Sequence, residues 1–165
     1  MGFIRGFPPI ARPDARILIL GSMPSRESLA RQRYYAHPRN AFWPIMANLL
    51  AFPNADDPED SYQQYTEYLM CNGIALWDVL KACFRSGSLD SAIDDSSIVT
   101  NDFWDFFARH PMIERIFFNG AKAETLYRRH VFPAIGEPCS LLPLKRLPST
   151  SPANAGMSRE QKLDA

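Results

Sequence analysis

Four short, almost unbroken apolar runs divide the chain: Arg16-Ile-Leu-Ile-Leu-Gly21, Gly73-Ile-Ala-Leu-Trp77, Glu114-Arg-Ile-Phe-Phe118 and Leu141-Leu-Pro-Leu-Lys-Arg-Leu147. Continuous rather than alternating hydrophobicity, closed off by Gly, Asn-Gly or Pro, is the form of strands buried on both faces of a parallel sheet. Longer mixed stretches between them read as helices. One runs up to Gly73, with Ser61 as its N-cap and the glycine just past its end. A second is expected over 40–51, opened by Asn40 and with Pro44 in its first turns. A third is expected over 101–109, capped by Asn101 and stopped before Pro111, and a fourth over 120–131. Ser158-Arg-Glu-Gln161 has the form of a capping box opening one more short helix. Strands alternating with helices predict an α/β domain with a mainly parallel, four-stranded sheet and right-handed crossovers.

Length changes the picture only by setting its scale. With 165 residues, 46% of them hydrophobic, the chain can build one sizeable core, so a single domain over 1–165 is expected. The charges sharpen it more. Lys plus Arg and Asp plus Glu balance to a net charge of zero, which excludes a polycation, yet the charges are segregated. Residues 12–39 carry Arg12, Arg16, Arg26, Arg31, Arg33 and Arg39 against Asp14 and Glu27. Residues 121–146 carry Lys122, Arg128, Arg129, Lys145 and Arg146 against Glu124 and Glu137. The stretch 54–105 holds eleven carboxylates against Lys81 and Arg85. Two basic stretches that converged in the fold would give one face suited to an anionic partner. Cys71, Cys83 and Cys139 fit neither a disulfide framework nor a Cys-x-x-Cys metal site, which favours a reduced cytoplasmic setting. No apolar run approaches the roughly 20 residues of a membrane helix, so a soluble protein is expected.

In open α/β sheets ligands bind at the carboxyl ends of the strands. Here those ends are Gly21-Ser-Met-Pro-Ser25, Asp78, Asn119-Gly120 and Pro148-Ser-Thr-Ser-Pro-Ala-Asn154, all small, polar or turn-forming. Neither G-x-G-x-x-G nor G-x-x-x-x-G-K-[ST] is present, so the usual phosphate cradles of dinucleotide and nucleoside-triphosphate sites are missing. Ser22, Ser25, His37 and Asp78 lack the nucleophile elbow of a serine hydrolase, and three scattered histidines give no metal-ligand spacing. No cofactor and no metal is expected.

The most unusual stretch is Tyr34-Tyr-Ala-His-Pro-Arg-Asn-Ala-Phe-Trp-Pro44. Phe42 and Trp43 suit a helix core; Tyr34, Tyr35 and Asn40 suit it less well. With this stretch, and with Gly21-Ser-Met-Pro-Ser25, Gly73-Ile-Ala-Leu-Trp-Asp78, Phe117-Phe-Asn-Gly-Ala-Lys122 and Leu147-Pro-Ser-Thr-Ser-Pro-Ala-Asn154 in order, the sequence resembles the uracil-DNA glycosylase superfamily, and most closely its hypoxanthine-DNA (deoxyinosine) glycosylase branch. The resemblance covers about residues 16–162 and implies a three-layer α/β/α sandwich.

It also implies an activity: a monofunctional DNA glycosylase of base excision repair. Such an enzyme flips a deaminated base out of DNA and hydrolyses its N-glycosidic bond, leaving an abasic site. Hypoxanthine would be the main substrate, with xanthine or uracil as further ones. By the same resemblance Tyr35 would stack on the flipped base, and Asn40 and Asn119 would be the catalytic pair. Ser22, Met23, Phe42 and Asp78 would complete the base site. A carboxylate at Asp78 could accept the N1–H that hypoxanthine has and adenine lacks; the alternative is that Asp78 caps the turn after its strand. Ser149, Ser151, Ala153, Asn154 and Arg39 would contact DNA. Met23 stands where relatives carry a water-orienting Asp or Asn, and Ala153 where one branch carries a bulky plug. The expected enzyme is a monomer acting on DNA in the cytoplasm, associated with the nucleoid. The alternatives are a non-catalytic nucleic-acid-binding module of the same fold and a hydrolase of free nucleosides, which would not need the basic stretches.

Overall fold

The computed structural model describes residues 2–53 and 61–165; Asp56, Asp57, Glu59 and Asp60 of the acidic stretch lie outside them. Among the described residues two sheets form. A three-stranded antiparallel sheet runs in the order β1 (Gly2–Arg5), β4 (Leu80–Arg85), β5 (Val99–Thr100). A four-stranded parallel sheet has the order β3-β2-β6-β7, with β2 (Ile17–Gly21), β3 (Ile74–Asp78), β6 (Arg115–Asn119) and β7 (Leu144–Leu147). The four apolar runs are the four parallel strands. Central β2 and its neighbour β3 are buried along almost their whole length, as their continuous hydrophobicity demands. The last run differs from expectation. Its first residue, Leu141, is exposed at the end of a short helical turn over Cys139–Leu141, and β7 is an edge strand with Lys145 and Arg146 turned to solvent.

Six helices flank the strands among the described residues: α1 (Arg26–Arg31), α2 (Phe42–Leu49), α3 (Tyr62–Cys71), α4 (Phe103–Arg109), α5 (Ala121–Leu126) and α6 (Arg159–Leu163). In-register pairing of Leu20 with Trp77 and Phe118 places these three on one face. There Trp77 meets Phe103 and Phe106 of α4, and Phe118 meets Tyr127 beyond α5. A second aromatic set, Trp43, Phe52 and Tyr65, joins α2 to α3. Gly73, at φ +71, turns the chain from α3 into β3, a left-handed conformation that glycine adopts without strain. The α6 capping box closes as expected, with Ser158 and Gln161 exchanging hydrogen bonds at 3.1 and 2.9 Å.

Two caps shift. α2 opens at Phe42 with Ala41 as N-cap, and α4 is capped by Asp102, whose side chain accepts the Asp105 N–H. Asn101 is drawn away to donate to the Asp78 carbonyl at 2.8 Å, a tertiary contact that outweighs its local capping role. The antiparallel sheet and α1 had no counterpart among the expected elements; β1 pairs with a strand almost eighty positions further on.

Candidate functional site

The ends of β2, β3 and β6 meet the 22–44 and 148–154 loops around a cavity of about 380 Å³, within the range of roughly 300–1,000 Å³ usual for small-ligand sites. Parallel register sets Gly21 beside Asp78 and Asn119 beside Leu147. A further wall comes from Ser88, Leu89 and Asp90 beyond β4. Two glycines allow the closeness. A Cβ on Gly21 would run into Asp78 Oδ1 and lie 2.9 Å from the Tyr35 hydroxyl, and one on Gly120 would lie 2.9 Å from the Ser149 Cβ.

The two asparagines are oriented before any ligand arrives. Asn119 Oδ1 accepts the Thr150 N–H at 2.8 Å, while Nδ2 donates to the Thr150 hydroxyl at 2.8 Å. A backbone N–H can only donate, so this pair fixes which end of the amide is which. Asn40 Oδ1 accepts the Phe42 N–H at 3.0 Å, which fixes which end of this amide is which, and the residue lines the cavity. The Thr150 carbonyl accepts the Ala41 N–H at 3.0 Å, so one threonine joins the loop of Asn40 to the strand end of Asn119. Thr150 is 8% exposed. It was not among the expected site residues; its neighbours Ser149 and Ser151 were.

Tyr34 and Tyr35 go separate ways. Tyr34 is a core residue, against the sequence reading, with its hydroxyl donating to the Pro8 carbonyl at 3.0 Å and its carbonyl accepting the Trp43 indole N–H at 2.8 Å. Tyr35 adopts φ +53, a strained conformation for an aromatic residue and one that clusters at functional sites. Its ring stacks on Phe42 at 4.2 Å and 26° while lining the cavity. Phe42 itself is buried and does not line the cavity; it backs Tyr35. Burial first, then the Asp78 carboxylate, raise the Tyr35 hydroxyl pKa, and the Asn119 side chain pulls the other way.

Asp78 is 3% exposed, and its Oδ2 is buried without a hydrogen-bond partner among the described residues. In the turn that follows it, the N–H groups of Val79 and Leu80 go to the carbonyls of Gly21 and Ser22. Burial first, and nearby Asp90 second, push its pKa up from 3.8 to about 7, with Arg85 opposing. Asp90, another residue the sequence reading missed, accepts the Ser22 hydroxyl at 2.7 Å, so Ser22 is committed to the cavity wall. Arg85 is 2% exposed and donates to the carbonyls of Pro24 and Gly87, with Nη1 lacking a hydrogen-bond partner among the described residues. Met23 lines the cavity but is almost fully buried.

In the 148–154 loop the Ser149 and Ser151 hydroxyls accept the N–H groups of Ser151 and Ala153, and Asn154 Nδ2 donates to the Ser149 carbonyl. These bonds hold the loop's shape while leaving both hydroxyl hydrogens available. Ala153 and Arg39 are exposed. Much of the second basic stretch is neutralised in place. Arg128 and Arg146 pair with Glu124, and Lys122 and Arg129 with Asp95. Among the described residues no group of three or more His, Cys, Asp or Glu assembles as a metal site, and no helix is long and apolar enough to cross a membrane.

The family model of the Uracil DNA glycosylase superfamily matches residues 8–165. A curated Methanosarcina acetivorans protein named Hypoxanthine DNA glycosylase is 38% identical over 163 residues, 97% of this chain and 94% of that protein. One of the same name from Methanosarcina barkeri is 38% identical over 119 residues, 72% of each chain. The solution NMR structure of a Methanosarcina acetivorans protein, described as a candidate uracil DNA glycosylase, matches with a TM-score of 0.77 and 37% identity. That match covers 99% of this chain and 94% of the other.

Proposed function

The chain belongs to the uracil DNA glycosylase superfamily, and from that premise we propose that it is a DNA glycosylase that excises hypoxanthine from DNA by hydrolysis, leaving an abasic site. One observation carries the choice of base. Asp78, which lines the same cavity as the two asparagines, presents a buried carboxylate oxygen that lacks a donor among the described residues. Hypoxanthine brings N1–H to such a group, whereas adenine would bring a lone pair, and leaving buried polar groups unpaired gives strong rejection. Xanthine and uracil also carry ring N–H donors and are the expected secondary substrates.

The chemistry follows from where charge develops. As the N-glycosidic bond lengthens, positive charge grows on the deoxyribose and negative charge on the departing base. Tyr35 supplies a stacking face, worth about 1–3 kcal/mol and indifferent to base identity. The remaining Nδ2 hydrogens of Asn40 and Asn119 stabilise the leaving base from fixed positions, without reorganising during the reaction. Met23 cannot orient water, so that task falls to Asn40 and nearby backbone carbonyls. Ser149 and Ser151 hold the DNA backbone, with Arg39 adding attraction. The reading includes a monomeric enzyme working on DNA without a metal or cofactor.

The test is to incubate duplexes carrying a single hypoxanthine, xanthine, uracil or normal base, then cleave with alkali. Strand breaks at hypoxanthine are expected, with fewer or none at adenine. Binding without breaks at any base would make this a non-catalytic module, and release from free deoxyinosine alone would make it a nucleoside hydrolase.

A further inference from the structure

A charge buried without a partner is costly, and proteins keep one where something nearby offsets it. Arg85, the last residue of β4, is such a case. Its guanidinium is a permanent cation, yet the residue is almost fully buried. The hydrogen bonds it makes among the described residues go to neutral carbonyls. Nε–H donates to Gly87 at 3.0 Å and Nη2 to Pro24, while the buried Nη1 has no hydrogen-bond partner there.

Those carbonyls belong to a closed frame of hydrogen bonds that holds both carboxylates of the cavity. On one side the N–H groups of Val79 and Leu80, next after Asp78, donate to the carbonyls of Gly21 and Ser22 at 2.9 and 3.1 Å. On the other the Ser22 hydroxyl donates to Asp90 at 2.7 Å, in the loop that Gly87 begins. Arg85 closes the frame by joining Pro24 to Gly87. Asp78, Ser22, Pro24 and Asp90 line the cavity and Arg85 does not, so the cation stands behind the wall.

The charges around this frame are few. Asp78 is repelled by Asp90 and attracted by Arg85, and the Tyr34 and Tyr35 hydroxyls adjoin it. Asp90 is attracted by Arg85 and by Lys122 of α5. Cys83 of β4 and Arg26 of α1 also face Arg85. One buried cation behind two acids favours the ionised form of both, against the burial that disfavours it.

We propose that Arg85 is a positioning residue for base recognition, a buried counter-charge that keeps the Asp78 carboxylate in the ionised form that accepts N1–H. It touches no base and acts through Asp78. The proposal rests on the glycosylase reading, and its test separates the two.

The Asp78 carboxyl can be titrated by carbon-13 NMR without substrate, its signal assigned by its absence from Asp78→Asn. The wild-type midpoint should lie at about 7. Arg85→Gln and Arg85→Met, which remove the charge, should raise it by about one unit or more, and Arg85→Lys, which keeps the charge, should hold it within about half a unit. Single-turnover excision of hypoxanthine should follow the titration. The neutral variants should be about fivefold slower at pH 7 and recover toward the wild-type rate at about pH 9. A loss equal at every pH, with the midpoint unmoved, would make Arg85 a strut and overturn the proposal. So would a lysine variant displaced as far as the neutral ones. Should neither neutral variant fold, Asp90→Asn decides: with Arg85 unopposed the midpoint should fall, and an unmoved midpoint overturns the proposal. A wild-type protein that released no hypoxanthine at any pH would overturn the glycosylase reading, and the role in base recognition with it, whatever the titration shows.

Discussion

The two walls of the cavity are built to opposite rules. On the wall of Asn40 and Asn119, each amide is held by a partner that dictates its orientation: Asn119 at both ends by Thr150, and Asn40 by the Phe42 N–H. On the wall of β3, Asp78 Oδ2, and near it the Tyr35 hydroxyl, lie buried without a hydrogen-bond partner among the described residues. An unsatisfied buried polar group costs about 1–3 kcal/mol, and native proteins keep few of them. Groups already satisfied act the same way whatever enters, which suits stabilisation of a charge common to every leaving base. Groups left unsatisfied distinguish ligands by whether they bring the missing partner. On the proposed function, the contrast gives rate to one wall and choice of base to the other.

Asn119→Ala should have the largest effect. Removing one preorganised donor from a dry site lowers rates about 10²–10³-fold, here read in single-turnover excision of hypoxanthine. A variant that kept its rate but lost base preference would reverse the assignment of the walls. Asp78→Ala should act on the other quantity, cutting the ratio of hypoxanthine to adenine excision by about a hundredfold. An unchanged ratio would remove Asp78 from base recognition.

The unsatisfied wall also makes a prediction about pH. Asp78 holds its proton to about pH 7 in the folded protein, whereas its ordinary pKa is 3.8. Between those values the unfolded chain binds fewer protons, so stability falls as pH rises through this window, and the loss is complete above about 7. Asp78→Asn removes the ionisation but keeps a buried polar group. It should therefore be more stable than wild type at pH 8 by about 1–3 kcal/mol in denaturant unfolding, with the difference vanishing below about pH 4. Hypoxanthine excision should rise with pH through about 7 in wild type, as the accepting carboxylate forms, and the asparagine variant should lack that rise. A stability difference independent of pH would place the titration elsewhere.

What the sequence could reveal followed from how local each signal is. The parallel strands are visible because a strand covered on both faces is apolar along its whole length, as in Ile17–Gly21. The antiparallel sheet is not, because Gly2–Arg5 becomes a strand only through β4, far along the chain. Tyr35, Asn40 and Asn119 stand in compact motifs. Asp90 looks like one carboxylate among many, and only its bond to Ser22, 68 positions away, brings it to the cavity. Counting charges showed two basic stretches but not Glu124 and Asp95 folded among them. Thr150 shows the limit most clearly. In Pro148-Ser-Thr-Ser-Pro152 three hydroxyl residues stand side by side, and the chain's path past Gly120 decides which of them turns inward.

Thr150 therefore gives the smallest and most discriminating test of the two walls. Valine has nearly the same shape, so Thr150→Val keeps the N–H bond to Asn119 Oδ1 and the carbonyl bond from Ala41, and removes only the hydroxyl that receives Asn119 Nδ2. One neutral hydrogen bond is worth about 1 kcal/mol, or roughly fivefold in rate. That loss should appear in kcat rather than KM, because the amide would be held less firmly while the stacking face and Asp78 are untouched. Thr150→Ser, which restores the acceptor, should recover the rate, and neither variant should change the ratio of hypoxanthine to adenine excision. A loss as large as that of Asn119→Ala would mean the hydroxyl meets the reacting base itself. A changed ratio would mean that the two walls are coupled through this residue, and the division between rate and recognition would fail at its hinge.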